Sequence, residues 1–189
     1  MKKLLLIILL FPLFSKAQLS IELIANKDNS IFSESSNLSN GIGNGIFAGT
    51  TGQGNFRRAL ILFPIENLPA NIVIDSVFLY LNSDNARSNS SFSIYRLLNN
   101  WGEGTSIASG NGGKGGIATI NDATWEKTFF NIQNWDTPGG DYYKDSVLCT
   151  FTSIQYGQNS FTSSKLLETV RHWEKGIFNN NGLPFGNVR

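Results

Sequence analysis

Residues 45–65 read GIFAGTTGQGNFRRALILFPI, two apolar runs flanking a turn-rich connection, with the pair Arg57 and Arg58 opening the second run. Gly49, Gly52 and Gly54 accept the positive φ values that a chain reversal needs, and Asn55 tolerates them. The stretch therefore predicts a long antiparallel hairpin. Beyond the turn, Ala59, Ile61 and Phe63 alternate with Leu60 and Leu62, so both faces of the second strand are apolar. A strand of that kind belongs inside a sandwich, covered on both sides.

Strand-like runs recur at Leu19 to Ala25, Ser30 to Ser33, Gly45 to Ala48, Arg57 to Ile65, Ile72 to Asn82, Ser91 to Leu98, Lys127 to Ile132 and Ser146 to Ile154. Short strands punctuated by Gly, Asn, Ser and Pro predict an all-β antiparallel sandwich, jelly-roll-like. In Ile72 to Asn82, parity directs Val73, Val77, Leu79 and Leu81 toward the core. One segment breaks the pattern. Ser164 to Gly176, SKLLETVRHWEKG, sets Leu166, Leu167, Val170 and Trp173 on one helical stripe, with Ser164 as cap and Gly176 as stop. After it comes LPFGNVR, in which Pro184 removes a ladder donor and Gly186 weakens the run. The last strand is therefore predicted not to develop, leaving an open sheet edge prone to self-association.

Lys2 and Lys3, an apolar run from Leu4 to Phe14, and Ser15-Lys16-Ala17 form the three parts of a secretory signal peptide. The apolar run is about half the ~20 residues needed to span a bilayer. Residues 1–17 are thus predicted to be removed, and residues 18–189 to form one exported domain at the cell surface or beyond it. Loss of Lys2, Lys3 and Lys16 leaves 12 basic against 14 acidic residues, a net charge of −2. That balance gives no electrostatic basis for binding nucleic acid or an anionic membrane. The single cysteine, Cys149, lies in SVLCTF and reads as a small buried apolar residue.

The hairpin motif FAGTTGQGNFRRALILF resembles secreted bacterial proteins of the DNRLRE type and carbohydrate-binding-module-like β-sandwiches. The resemblance continues through DNSIF (residues 28–32), WGEGTS (101–106), the Gly-rich run 110–116, DATW (122–125) and WDTPGGD (135–141), and covers most of the chain beyond residue 17. It implies a non-catalytic β-sandwich that grips polysaccharide. In such relatives further strands follow the late helix.

The residues themselves point to several chemistries. No HExxH, Cys/His metal spacing, GxSxG elbow or GxxxxGK[ST] loop is present. The only histidine, His172, sits mid-helix and reads as a packing residue. Glu103, Asp122, Asp136 and Asp141 fall in Gly-rich motif loops where freed carbonyls would complete a hard oxygen shell, so a structural Ca²⁺ is one expectation. Asx-turn chemistry is the simpler alternative for Asp122 and Asp136. The same carboxylates would serve a polysaccharide-degrading enzyme only if two of them faced each other across a cleft. Flat aromatic rings beside Asn and Asp suit sugar rings, whose faces are apolar and whose rims are polar. Trp101 and Trp125 read as core residues, and Trp135, Tyr142 and Tyr143 as candidate ligand contacts. Arg57 and Arg58 project to opposite strand faces, so one is predicted to pair with a carboxylate and the other to meet solvent or an acidic ligand. Three functions remain: polysaccharide binding, a structural or adhesive surface module, and, third, polysaccharide degradation. The Gly-rich run 110–116 is expected to be mobile.

Overall fold

The computed structural model describes residues 19–84, 91–109, 113–151 and 155–187; the signal-peptide segment 1–17 lies outside them. The double-sided apolar strand is where the sequence places it. β4 (Phe56–Leu62) is the axis of a six-stranded antiparallel sheet. Along one side runs β1 (Lys27–Phe32), with Lys27 opposite Leu62 and Phe32 opposite Arg57. Two strands share its other side: β3 (Gly49–Thr50) at Phe56 and Arg57, and β12 (Leu183–Gly186) at Ala59 to Ile61. β12 in turn pairs with β6 (Phe92–Ile94), and β6 with β10 (Cys149–Phe151). Three two-stranded ladders surround this sheet: β2 (Leu38–Ser39) with β7 (Gly116–Ile117), β5 (Leu79–Ser83) with β11 (Gly157–Phe161), and β8 (Lys127–Phe129) with β9 (Gln133–Asn134). The fold is all-β and sandwich-like with one α-helix among the described residues, α1 (Ser164–Glu174).

The tail corrects one expectation. Leu183–Gly186 does develop into a strand, and it lies buried in the middle of the sheet. Pro184 is tolerated because β12 needs few ladder bonds from it: its carbonyl accepts the Tyr95 N–H at 3.1 Å, and the flanking Leu183 and Phe185 supply the packing. The predicted open edge at this point is closed, with β12 paired on both sides.

Parity divides the core in two. Ala59, Ile61, Ile94, Leu183 and Phe185 face α1, whose Leu166, Val170 and Trp173 meet them together with Leu79 of β5. Ile31, Leu60, Tyr95 and Leu97 face the other way, against Trp101, Ala123, Trp135 and Tyr142 from irregular segments. Each fully buried Leu or Ile among them contributes roughly 1.5–3 kcal/mol of transfer free energy. The cap of α1 lies one residue earlier than expected: Ser163 is the N-cap, and its hydroxyl accepts the Leu166 N–H at 2.9 Å. Gly176 ends it with φ of +64°.

Other boundaries move. The β3–β4 hairpin is two residue pairs long, its turn closed by the Thr51 N–H to the Asn55 carbonyl at 2.8 Å. Gly49 and Gly54 take positive φ and Gly52 does not. Residues 45–48 and 19–25 form no strand, yet Ile46, Ala48, Leu23 and Ala25 pack on the core. Val73 is 81% exposed, because regular pairing begins only at Leu79. Of the Gly-rich run, residues 110–112 lie outside the described residues, as do 152–154 of the Ser146 to Ile154 run. Gly116, expected to be mobile, is held in β7 opposite Ser39.

Candidate functional site

The loop-covered face carries the motif residues. There the backbone has few strand partners of its own, so buried polar side chains supply them. Asn29 of β1 is the hub: its amide donates to the Glu103 carbonyl at 3.0 Å, and its Oδ1 accepts from Ser30 N at 2.6 Å, Ser39 Oγ at 2.8 Å and Asn40 N at 3.1 Å. Asp122, fully buried, accepts from the Thr119 N–H at 2.5 Å and its hydroxyl at 3.0 Å. The carboxyl thus closes a local turn from three residues downstream, the reverse of an Asx-turn, in which it would accept from two residues further on. Gly104, with φ of +69°, leaves room for that carboxyl where a Cβ would collide with it. Glu103 Oε1 accepts the Asp28 N–H at 3.0 Å.

The WDTPGGD loop is closed the same way. Asp141, nearly buried, accepts from Thr137 N at 2.7 Å, Asp136 N at 2.9 Å and Asn99 Nδ2 at 2.8 Å. The following residues run antiparallel to the end of the 91–98 segment: Leu98 N–H reaches the Asp141 carbonyl at 2.8 Å, and Tyr143 N–H the Arg96 carbonyl at 2.9 Å. Alternation then turns Tyr142 inward and Tyr143 outward. Tyr142 meets Tyr95 at a ring distance of 4.9 Å, and Tyr143 is exposed.

Arg57 and Arg58 do take opposite faces. Arg57 pairs with Glu34 at 3.0 Å and lies over the Phe32 ring. Arg58 does not meet solvent as an open cation. It is half-buried between the rings of Trp125 and Tyr142, at 5.0 and 5.1 Å, and donates to the Gly139 carbonyl at 2.5 Å. Burial lowers its pKa from the ordinary arginine value, while the neighbouring Tyr142 and Tyr95 oppose that. Gly139 is required here, since a Cβ would stand 2.5 Å from the Arg58 guanidinium. Both arginines are thus engaged within the fold, Arg57 with Glu34 and Arg58 with the Gly139 carbonyl and two rings.

Trp135 is the clearest correction among the ring candidates. It is 4% exposed, and its indole donates to the Thr124 carbonyl at 2.9 Å, so it is a core residue and presents no ring to a ligand. Trp101 is fully buried as read, with Lys27 over its ring at 4.4 Å and its indole bonded to the Asn181 carbonyl at 2.9 Å. Trp125 is half-buried against Phe56. His172 packs edge-on against Phe178, and Cys149 is buried in β10, where burial raises its thiol pKa.

The four carboxylates do not converge. The Glu103 carboxylate accepts the Asp28 N–H, the Asp122 carboxylate the Thr119 and Ser106 N–H groups, and the Asp141 carboxylate the Asp136 and Thr137 N–H groups and Asn99, and among the described residues no three His, Cys, Asp or Glu side chains come together to hold a metal ion. A Ca²⁺ shell here would draw on one or two of these carboxylates together with backbone carbonyls.

What the loop leaves open is a concavity of about 330 Å³ with a mixed polar and apolar lining. Asn99, Asp136, Thr137, Asp141 and Lys144 line it, with Leu98, Gly140 and Tyr142 behind them. Asp136, Tyr142 and Asp141 come from the sequence reading. Asn99, Thr137 and Lys144 were missed, although all three lie within or beside the motif loops, because nothing in their spacing marks a shared wall. Among the described residues no helix is long and apolar enough to cross a membrane. Comparison of the chain with protein-family models, with curated proteins and with solved structures finds no match.

Proposed function

We propose that this chain is an exported, non-catalytic β-sandwich module that binds extracellular or cell-surface polysaccharide at the Asn99–Lys144 concavity. The observation that carries the reading is a small pocket of mixed polar and apolar lining whose wall is already held by the loop's own hydrogen bonds. Its volume is at the lower end of ligand sites, and preorganisation lowers the entropy cost of binding. Asp136 offers acceptors, Lys144 donors and Leu98 an apolar contact, a mixture that suits a sugar's hydroxyl rim and apolar face.

The absence of turnover in this reading has its own support. Glycoside hydrolysis needs two available carboxyl groups about 5–10 Å apart across a cleft. Here both Asp141 oxygens accept N–H donors, leaving Asp136 as the exposed carboxylate of the pocket. The test is retention of residues 18–189 on a panel of immobilised polysaccharides, with reducing ends assayed in the supernatant. Retention without product release is expected, and Asp136→Ala with Lys144→Ala should weaken it. No retention on any polymer contradicts the reading in favour of a purely structural module. Release of reducing ends contradicts its non-catalytic part.

A further inference from the structure

The β5–β11 ribbon has an outward face that its fold does not explain. Alternation sends Leu79, Leu81 and Phe161 into the core, where Phe161 stacks on Phe151 at 4.2 Å. The opposite parity sends Phe78, Tyr80 and Asn82 outward on one side, and Gln158 and Ser160 on the other. Phe78 and Tyr80 are 51% and 56% exposed, large aromatic rings presented where core packing gains nothing from them. Their rings stack on each other at 6.3 Å and 24°, so they form one flat apolar strip.

The cross-strand neighbours keep that strip uncovered. Small Ser160 stands opposite Tyr80, and Gln158 stands opposite Asn82. Tyr156, 81% exposed, lies just before β11 at the Asn82 end. At the other end the Thr162 hydroxyl bonds the Val77 carbonyl at 2.7 Å and ties down the backbone beneath Phe78. The row from Phe78 to Asn82 measures about 13 Å by strand rise, which suits a linear chain better than a single small molecule.

Charge decides the class of occupant. Among the described residues the outward positions carry neutral amides, a hydroxyl and, one step beyond Asn82, the Asp84 carboxylate that Asn82 bonds at 3.3 Å, but no Lys or Arg, so phosphate, nucleic acid and anionic lipid find no complement on them. Ring faces bordered by amides match the apolar face and hydroxyl rim of a neutral sugar. We propose that the outer face of the β5–β11 ribbon is a second binding surface, taking one extended neutral polysaccharide chain against Phe78 and Tyr80. The proposal rests on the reading of the chain as a glycan binder and adds a site that the loop pocket does not contain.

The experiment compares residues 18–189 with Phe78→Ala/Tyr80→Ala, with Tyr80→Trp and with Asp136→Ala/Lys144→Ala, by affinity electrophoresis in soluble neutral glucan, xylan, mannan and galactan. Both ring positions face outward, so the double ring variant should melt within about 2 °C of the parent. It should bind about tenfold or more weakly. Tyr80→Trp should bind at least as well as the parent, and the pocket variant should keep a ring-dependent component. Unchanged binding by the ring variant, with loss confined to the pocket variant, overturns the ribbon site and leaves the pocket reading standing. No retardation of the parent by any neutral polymer overturns both. Self-association that the ring variant abolishes, seen by sedimentation in place of glycan binding, would assign the face to a second copy of the chain and overturn the proposal.

Discussion

The main sheet is covered on its two faces by different kinds of structure. On one side α1 and the β5–β11 ribbon bond their own backbones, and the contacts they offer the sheet are apolar: Leu79, Leu166, Val170 and Trp173. On the other side loops do the covering, and Asn29, Asp122 and Asp141 are drawn inside to satisfy their N–H and carbonyl groups. The difference teaches that most polar residues of the motif loops are structural. The polar groups left at the rim of the concavity are Asn99, Asp136, Thr137 and Lys144.

Truncation should hurt both faces, but for different reasons. Trp101→Ala is expected to cost about 3–5 kcal/mol, as removal of a fully buried aromatic, and Leu166→Ala about 2–5 kcal/mol on the helix side. Chemical denaturation measures both. Only the Trp101 variant should also lose polysaccharide binding in conditions where it remains folded, since its loss disturbs the loop side. Equal binding by the two folded variants would erase the distinction between the faces.

Asp141→Ala comes next, at about 2–4 kcal/mol, because the Asp136 and Thr137 N–H groups lose a charged acceptor. Binding should fall with it. A loss of stability no larger than that of an exposed substitution would show that the loop is held by something else.

The smallest effect is a gain. Asp28 has its pKa raised from an ordinary value near 3.8, by burial first and by the neighbouring Glu103 charge second. The folded chain therefore holds this proton more tightly than the unfolded chain, and stability falls as pH rises from about that ordinary value through the raised folded one. The cost is fully present at neutral pH. Asp28→Asn should raise Tm at pH 7, with the advantage closing as the pH drops below about 4. A Tm difference that persists unchanged into acid would contradict this origin.

The fold was legible where pattern and burial agree. Two-sided apolarity in residues 59–63 marked the central strand, and the 3.6-residue stripe marked α1, since both signals come from what must be buried. The tail was not legible. Pro184 and Gly186 argue locally against a strand, and only the gap between β4 and β6 makes one there. The site was half legible. Asp136, Asp141 and Tyr142 were found because they sit in a conspicuous loop, but side-chain direction within irregular backbone follows no period. That is why Trp135 and Arg58, which looked available to a ligand, proved to be packed.

The central claim is that the preorganised rim of the loop face binds polysaccharide. Amide chemical-shift mapping of isotope-labelled residues 18–189, titrated with an oligosaccharide cut from the polymer that retains it, tests this most directly. Saturable shifts clustered at residues 98–99 and 136–144, with α1 unaffected, are the predicted result. Saturated binding that leaves residues 136–144 unshifted would contradict it.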